Sequence, residues 1–513
     1  MKQTRRQFLR TASAAIGAHP IFRSGAQRPS GSAPAPSWRR PNVLVIITDE
    51  QHAGMLGCAG NPHVRTPNLD RLAAQGTRFE RAYSANPICV PARLAMMTGR
   101  MPSSIGMEAN QDIGKRVPPN ILQHAMGRLF RDGGYRTVYG GKVHLPGGDG
   151  SANRIDEYGF EYLTKDERGK LAETCAAWLR ENRRGDRPFL MVASFINPHD
   201  ICYMAISAHA QATGAPAQVN LLADGPAEAI GYLHEALQLP GGLGEEKFFA
   251  EVCPPLPANH EVPREELSAF MDDKPASVHY ARRSWTERDW RLHRWAYARL
   301  TERVDAEIEK LFWGLREAGL EDNTVVIMTS DHGDQDASHR LERKAVLYEE
   351  SVHVPFIVSW KGVTRAGSVD RRHLVSSGLD LIPTICDFAG IALPGALKGM
   401  SVRPLAEGRM PRRWREHLVV ENHLARLVHD GRWKYMVGRE GRHAQGCRAC
   451  TDNAGEWDGH VREMLVNLQT DSGEMNNLAG DPRSRERLEA GRAALRQWCR
   501  DNQVELDSAY VAG

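Results

Sequence analysis

Four places in the chain set ionisable side chains directly after an apolar run. Asp49 and Glu50 follow NVLVIIT, and Lys142 and His144, in GKVH, follow RTVYG. His199, in NPHD, follows PFLMVASF, and Asp331 and His332, in DHGD, follow TVVIMTS. A single charged residue in such a place ordinarily solvates a turn; four such ends point to a shared site. Asp49, Glu50 and Asp331 are hard oxygen donors that would repel one another without a cation between them, so a divalent metal is implied. The carboxylates suit Ca²⁺ or Mg²⁺, and His332 adds a nitrogen donor that favours Mn²⁺ or Zn²⁺. Arg93, Lys142 and Lys344 bring positive charge, and His144 and His199 can exchange protons near neutral pH. Such a group suits an anionic ester.

Cys89 belongs with them. In PICVPARLAMMTGR it stands where a helix begins, at the positive end of the helix dipole, where free backbone N–H groups favour negative charge. A transferred sulfuryl or phosphoryl group would be stabilised there.

The elements that must position these residues read as an α/β fold. NVLVIIT, RTVYG, PFLMVASF, TVVIMTS and VPFIVSW (Val354 to Trp360) are short runs of the kind buried on both faces of a parallel sheet. Helical stretches alternate with them. TPNLDRLAAQG has Thr66 to cap, Pro67 in the first turn and Gly76 to stop. Tyr297, Leu300, Val304, Ile308, Leu311 and Leu315 recur at helical spacing until Gly319. A mostly parallel central sheet flanked by helices follows, and ligands of such sheets gather at the carboxyl ends of the strands. Three regions are expected: a signal and linker over 1–40, a catalytic domain over 41–400, and a smaller α+β subdomain over 401–513 with an antiparallel sheet and a charged helix from about Ser484.

With 513 residues and 41% apolar content, the chain can bury a large core. A net charge of +3, with both signs mixed along the sequence, gives no case for nucleic acid. No apolar run reaches the roughly 18 residues of a membrane span. TRRQFLR, then TASAAIGA and a Ser/Pro/Gly-rich stretch, resembles a twin-arginine export signal, which predicts the export machinery as a partner and a periplasmic or extracellular location. Of nine cysteines only Cys447 and Cys450 are closely spaced, and a single CxxC is weak evidence for zinc or redox work. The odd count leaves at least one thiol unpaired, with Cys89 the candidate.

CVPAR resembles the Cys-x-Pro-x-Arg signature of the type I sulfatases, a family with the alkaline phosphatase-like fold in which this cysteine is oxidised to formylglycine. TDEQ, TPNLDRLAAQGTRFERAYS, MTGR, GGKVHL, TSDHGD, HRLERKAVLYEESVHVPFIV, DLIPTI and the closing WKYMV and EMLVNLQTDSGEMNNLAGDP extend the likeness over most of Pro41 to Pro482. The resemblance implies a formylglycine made from Cys89 by a maturation enzyme, one hydroxyl of its hydrate attacking sulfur and the other later expelling sulfate. It implies one divalent cation, Ca²⁺ first and Mg²⁺ or Mn²⁺ as alternatives, held by Asp49, Glu50, Asp331 and His332 with the residue at 89. Arg93 and Lys142 would steady the formylglycine and the sulfate charge; His144 would take a proton during regeneration; His199 and Lys344 would serve the leaving oxygen. His339 also matches a family position near the substrate.

The chain departs from the family pattern at three positions. Glu50 stands where many relatives have aspartate, His332 where many have asparagine, and Ala92 where many have serine. Histidine at 332 is shared with the branch that holds choline sulfatases and phosphonate monoester hydrolases, so a phosphodiesterase or phosphonate hydrolase is the second reading. A sulfoglycan-binding protein without turnover is the third, against which the complete proton-transfer set argues. The main expectation is a sulfatase acting on sulfate esters of small molecules or oligosaccharides, chiefly carbohydrates. Trp285, Trp290 and Trp295 could stack on sugar rings or pack against the sheet.

Overall fold

The computed structural model describes residues 40–214, 226–271, 274–439 and 460–504. The twin-arginine segment and the Cys447/Cys450 pair lie outside the described residues. Eight strands form the main sheet: β1 (Asn42–Asp49), β2 (Thr77–Phe79), β3 (Arg136–Gly141), β4 (Glu161–Thr164), β5 (Phe189–Pro198), β6 (Thr324–Ser330), β7 (Phe356–Ser359) and β8 (Ser368–Asp370). Their order is β8-β2-β7-β6-β1-β5-β3-β4. β1 lies between β5 and β6, parallel to both, with Val43 opposite Leu190 and Val325. β7 runs antiparallel to its two neighbours.

The continuous apolar runs follow from this placement, because a central strand must satisfy both faces. Val43, Val45 and Ile47 enter one core, with Leu94 and Met97 of α2 (Cys89–Thr98) and Leu381 and Ile385 of α5 (Ser377–Ala389). Leu44 and Ile46 point the other way, onto Leu69 and Leu72 of α1 (Pro67–Gln75), Leu171 and Leu179 of α3 (Leu171–Glu181), and Val304, Ile308 and Leu311 of α4 (Glu287–Glu317). The helical spacing from Tyr297 to Leu315 belongs to α4, which starts ten residues earlier at a capping box between Thr286 and Asp289. VPFIVSW keeps only four residues as strand. PFLMVASF runs on to Pro198, so His199 follows the strand directly.

A smaller antiparallel sheet follows, in the order β9 (Leu418–Glu421), β10 (Ala425–His429), β11 (Trp433–Gly438), β12 (Glu463–Asn467). One of its faces packs Val420, Leu427, Met436 and Val466 on Val346, Leu347 and Tyr348. The other packs Val428, Tyr435 and Leu465 on Leu488 and Leu495 of α6 (Arg485–Asn502). No helix among the described residues is long and apolar enough to cross a membrane.

Trp290 and Trp295 are core residues. Trp290 meets Trp285 edge to face at 4.7 Å, and Trp295 meets Phe248 at 5.1 Å. Packing, not sugar stacking, accounts for these two.

Candidate active site

The register of β1 against β6 pairs Thr48 with Ser330, so the next residue of each strand, Asp49 and Asp331, emerges side by side at the carboxyl edge of the sheet. His332 follows at once. Its N–H donates to Asp331 Oδ1 (2.9 Å), and its Nδ1 lies 3.0 Å from the Gly333 carbonyl, which turns Nε2 inward. Gly333 is required by space: a Cβ there would sit 1.9 Å from the Glu350 carbonyl oxygen. Cys89 arrives from another direction as the first residue of α2, after the extended Ile88. Its Sγ lies 3.1 Å from His332 Nε2 and 4.0 Å from Asp49 Oδ1. Asp49, Cys89, Asp331 and His332 are all buried and offer ligand atoms within 4.8 Å of one another.

Arg93 sits one helical turn beyond Cys89 and spans both carboxylates, donating from Nη2 to Asp49 Oδ2 and from Nε to Asp331 Oδ2, each at 2.8 Å. Its Nη1 donates to Ser194 Oγ (2.7 Å) and to the Lys142 carbonyl (3.0 Å). Lys142 Nζ stands 2.6 Å from Asp49 Oδ2. The backbone of Gly141 has φ +89°, and a Cβ there would meet the Ser194 carbonyl at 2.1 Å; glycine lets the chain pass β5 and bring Lys142 in.

Glu50 takes a different course from Asp49. Its φ of +69° swings the chain out of the strand direction, and its Oε2 accepts from Lys344 Nζ (2.6 Å) and from Cys202 Sγ (3.1 Å). His199 Nε2 lies between the two carboxylates, 3.7 Å from Glu50 Oε2 and 4.0 Å from Asp49 Oδ1. Glu50, His199 and Cys202 thus form a second group beside the first. His144, also at positive φ, stands near enough to Cys89 to interact with it electrostatically.

The electrostatics are those of a crowded, dry site. Burial and the Asp49 charge push the Asp331 carboxyl up to about 7. Burial works against the charged form of His332, yet Asp331 and Cys89 outweigh it and carry the imidazole to about 9. Burial and Asp49 oppose ionisation of Cys89, but Lys142, Lys344 and His332 prevail and hold the thiol well below its ordinary range. Burial, with Lys344 and Lys142, lowers His199, and burial lowers His144.

All ten predicted site residues therefore converge at one edge of the sheet, in two adjoining groups. His339 does not join them: its ring stacks on Tyr348 at 3.8 Å and its Nε2 meets the Gly473 carbonyl at 2.9 Å. Three supporting residues escaped the sequence reading. Ser194 holds Arg93, Cys202 donates to Glu50, and the Tyr297 hydroxyl donates to the Glu50 carbonyl (2.5 Å). A serine inside an apolar strand run was a usable signal for the first; Tyr297 fitted the apolar face of its helix and gave none.

The chain matches the family model described as Sulfatase over residues 41–391 and the one described as N-sulphoglucosamine sulphohydrolase, C-terminal, over 337–499. It is 28% identical to the Delta 4,5-hexuronate-2-O-sulfatase of Bacteroides thetaiotaomicron, covering 93% of each chain. Among solved structures it resembles a 2-O GAG sulfatase, with TM-score 0.72 and 25% identity over 93% of this chain and 95% of that one. The phosphonate monoester hydrolase of Agrobacterium radiobacter shares the fold, with TM-score 0.67 and 19% identity over 92% and 100% of the two chains.

Proposed function

The chain belongs to the sulfatase family and is a sulfuric ester hydrolase, and from that premise we propose that it cleaves sulfate esters of carbohydrates with a formylglycine made from Cys89 and one divalent cation. The observation that carries this reading is the meeting of Cys89, Asp49, Asp331 and His332 within 4.8 Å at the start of α2. The donor set fits a hard or borderline cation. Two buried carboxylates crowd each other enough to raise Asp331, and an imidazole is already turned toward them by its bond to Gly333. Glu50 Oε1, buried without a hydrogen-bond partner, is a further donor at the margin. Ca²⁺ heads the candidates on carboxylate content, with Mg²⁺ and Mn²⁺ behind it.

Bound there, the cation would supply positive charge to the sulfate oxygens and lower the pKa of the nucleophile. The modified residue would supply a geminal pair of hydroxyls, one to attack sulfur and one to expel sulfate, so that the ester and one water become alcohol, sulfate and a proton. The chain's own residues do the rest. Arg93 fixes both carboxylates and cannot swing toward substrate without releasing them. Lys142 sets a charge beside Asp49 and would counter the charge of the sulfuryl oxygens. Lys344, ion-paired with Glu50 at 2.6 Å and so kept protonated against the effect of burial, would give the leaving oxygen a proton or a counter-charge. His199, beside it, is held neutral and can relay that proton. His144, near position 89 and held toward its neutral form by burial, would take the proton of the second hydroxyl.

Export through the twin-arginine route to the periplasm or beyond belongs to the same reading and rests on TRRQFLR. The test is kcat/KM for an aryl sulfate and the matching aryl phosphonate monoester, after co-expression with a formylglycine-generating enzyme. Aldehyde-reactive labelling of the Cys89 peptide would be followed alongside. Preference for the sulfate, lost on chelation and regained with Ca²⁺, is expected. Preference for the phosphonate would replace the proposal with the phosphonate hydrolase reading that His332 keeps in view.

A further inference from the structure

One cavity of about 460 Å³ lies on the opposite side of the fold, among Arg71, Phe312, Arg316 and Lys361, with nothing to identify an occupant. The cavity of about 500 Å³ at the mouth of the site says more. His144 and Lys344 line it, together with Lys274, Arg343, Asn110 and His423. No carboxylate among the described residues lines this cavity. At this volume it holds a ligand of small-molecule size rather than a sulfate alone.

Lys274 is the unusual member. Four lysines among the described residues are not exposed: Lys142, Lys274, Lys344 and Lys434. Lys142 pairs with Asp49, Lys344 with Glu50, and Lys434 with Glu349 and Glu474. For Lys274 no carboxylate lies within ion-pair distance among the described residues, and its ammonium donates to the Lys344 carbonyl. Arg343, next to it on the same wall, spends Nε on Glu342 and Nη2 on the Cys202 carbonyl and Ser277. A half-buried ammonium with no described carboxylate in ion-pair reach is costly, and burial, offset only in part by Glu342, brings Lys274 down to about 8. A site that keeps such a group gains when a ligand supplies the anion.

We propose that Lys274, assisted by Arg343, forms an oxyanion subsite at the mouth of the site, so that the preferred substrate carries a second anionic group, a carboxylate or another sulfate, besides the ester that is cleaved. This rests on the sulfatase reading and narrows its substrate class to acidic or multiply sulfated sugars. Lys274 acts on binding and specificity and takes no part in bond breaking.

Binding and turnover are measured separately. Calorimetric titration of a Cys89→Ser protein, which cannot turn substrate over, compares a 2-O-sulfated uronate, a disulfated neutral hexose and a monosulfated neutral hexose, with and without Lys274→Met. The expected result is at least tenfold tighter binding of one or both doubly anionic sugars, reduced about tenfold by Lys274→Met and largely restored by Lys274→Arg. Preference for the uronate alone identifies a carboxylate, and preference for the disulfate alone identifies a second sulfate. Equal affinity for all three sugars, or an equal loss on all three in the variant, overturns the subsite. Turnover by the unsubstituted, matured enzyme judges the sulfatase reading separately: absence of sulfate release with intact sugar discrimination sinks that reading and leaves the subsite standing.

Discussion

Two buried charge clusters of similar composition sit in this molecule and are finished differently. Near the smaller sheet, Lys434 Nζ donates to Glu349 Oε1 and to the Leu347 carbonyl, each at 2.9 Å, and pairs with Glu474 Oε1 at 2.7 Å. His429 and Tyr83 close the group with a 3.0 Å contact. At the edge of the main sheet, Lys142 Nζ approaches Asp49 alone and has no well-aligned hydrogen bond, while Asp331 is pushed toward its neutral form. The first cluster surrounds one ammonium with two carboxylates and a carbonyl, although burial still carries Glu474 up to about 8. The second holds unspent donors and crowded acceptors, which is the condition of a site that awaits a cation and an anion. Burial and charge alone do not separate structure from function; the kind of group left unspent does, a carboxylate oxygen of Glu474 in the first cluster and the Lys142 ammonium with ring nitrogens of His144 and His199 in the second.

Substitutions can test the contrast, the largest effect coming first. Cys89→Ala should abolish sulfate-ester turnover, by about 10³-fold or more in kcat, with a thermal midpoint close to that of the parent; activity within tenfold of the parent would remove Cys89 from the chemistry. Lys434→Met should cost about 3–5 kcal/mol of stability, because two carboxylates lose their cation in a dry place. Calorimetry should show it, and kcat per folded molecule should hold. Lys142→Met should reverse the pattern, lowering kcat by about 10²–10³-fold while the midpoint falls less than in Lys434→Met. Equal destabilisation by the two would erase the distinction. The smallest effect concerns pH. Burial holds His429 and His293 down to about 4, below an unfolded value of about 6.5. Between those values the unfolded chain binds more protons than the native one, so stability should fall as pH drops from about 6.5 to about 4. His429→Gln should flatten that slope by about 1–2 kcal/mol across the interval, read from denaturant midpoints.

Much of this was legible in the chain. NVLVIIT and TVVIMTS are fully buried runs, and the residues that end them could hardly avoid meeting once the two strands paired. The motif around Cys89 placed a helix start to within two residues: the helix expected from Pro91 begins at Cys89, with Pro91 in its first turn. What sequence could not carry was direction. Glu50 looks equivalent to Asp49 until a left-handed backbone sends its carboxylate to Lys344. β7 reads like the parallel strands, and its antiparallel course depends on contacts far along the chain. Trp290 and Trp295 offered ring faces that could serve a sugar or a core, and only the packing of Trp285 and Phe248 decides.

Every residue of α2 is buried, and Cys89 is 1% exposed at the floor of its pocket. That closes a window in time. An enzyme that oxidises this thiol must grip the surrounding backbone, and once α2 lies under β1 and α5 there is no backbone to grip. On the proposed reading, conversion would belong to the nascent or unfolded chain, and a molecule that folded before it was met would stay a thiol for the life of the fold. The fraction of active protein would then be set by a race between folding and modification during synthesis. Slowing synthesis, or raising the supply of the modifying enzyme, should raise specific activity without changing a single side-chain contact.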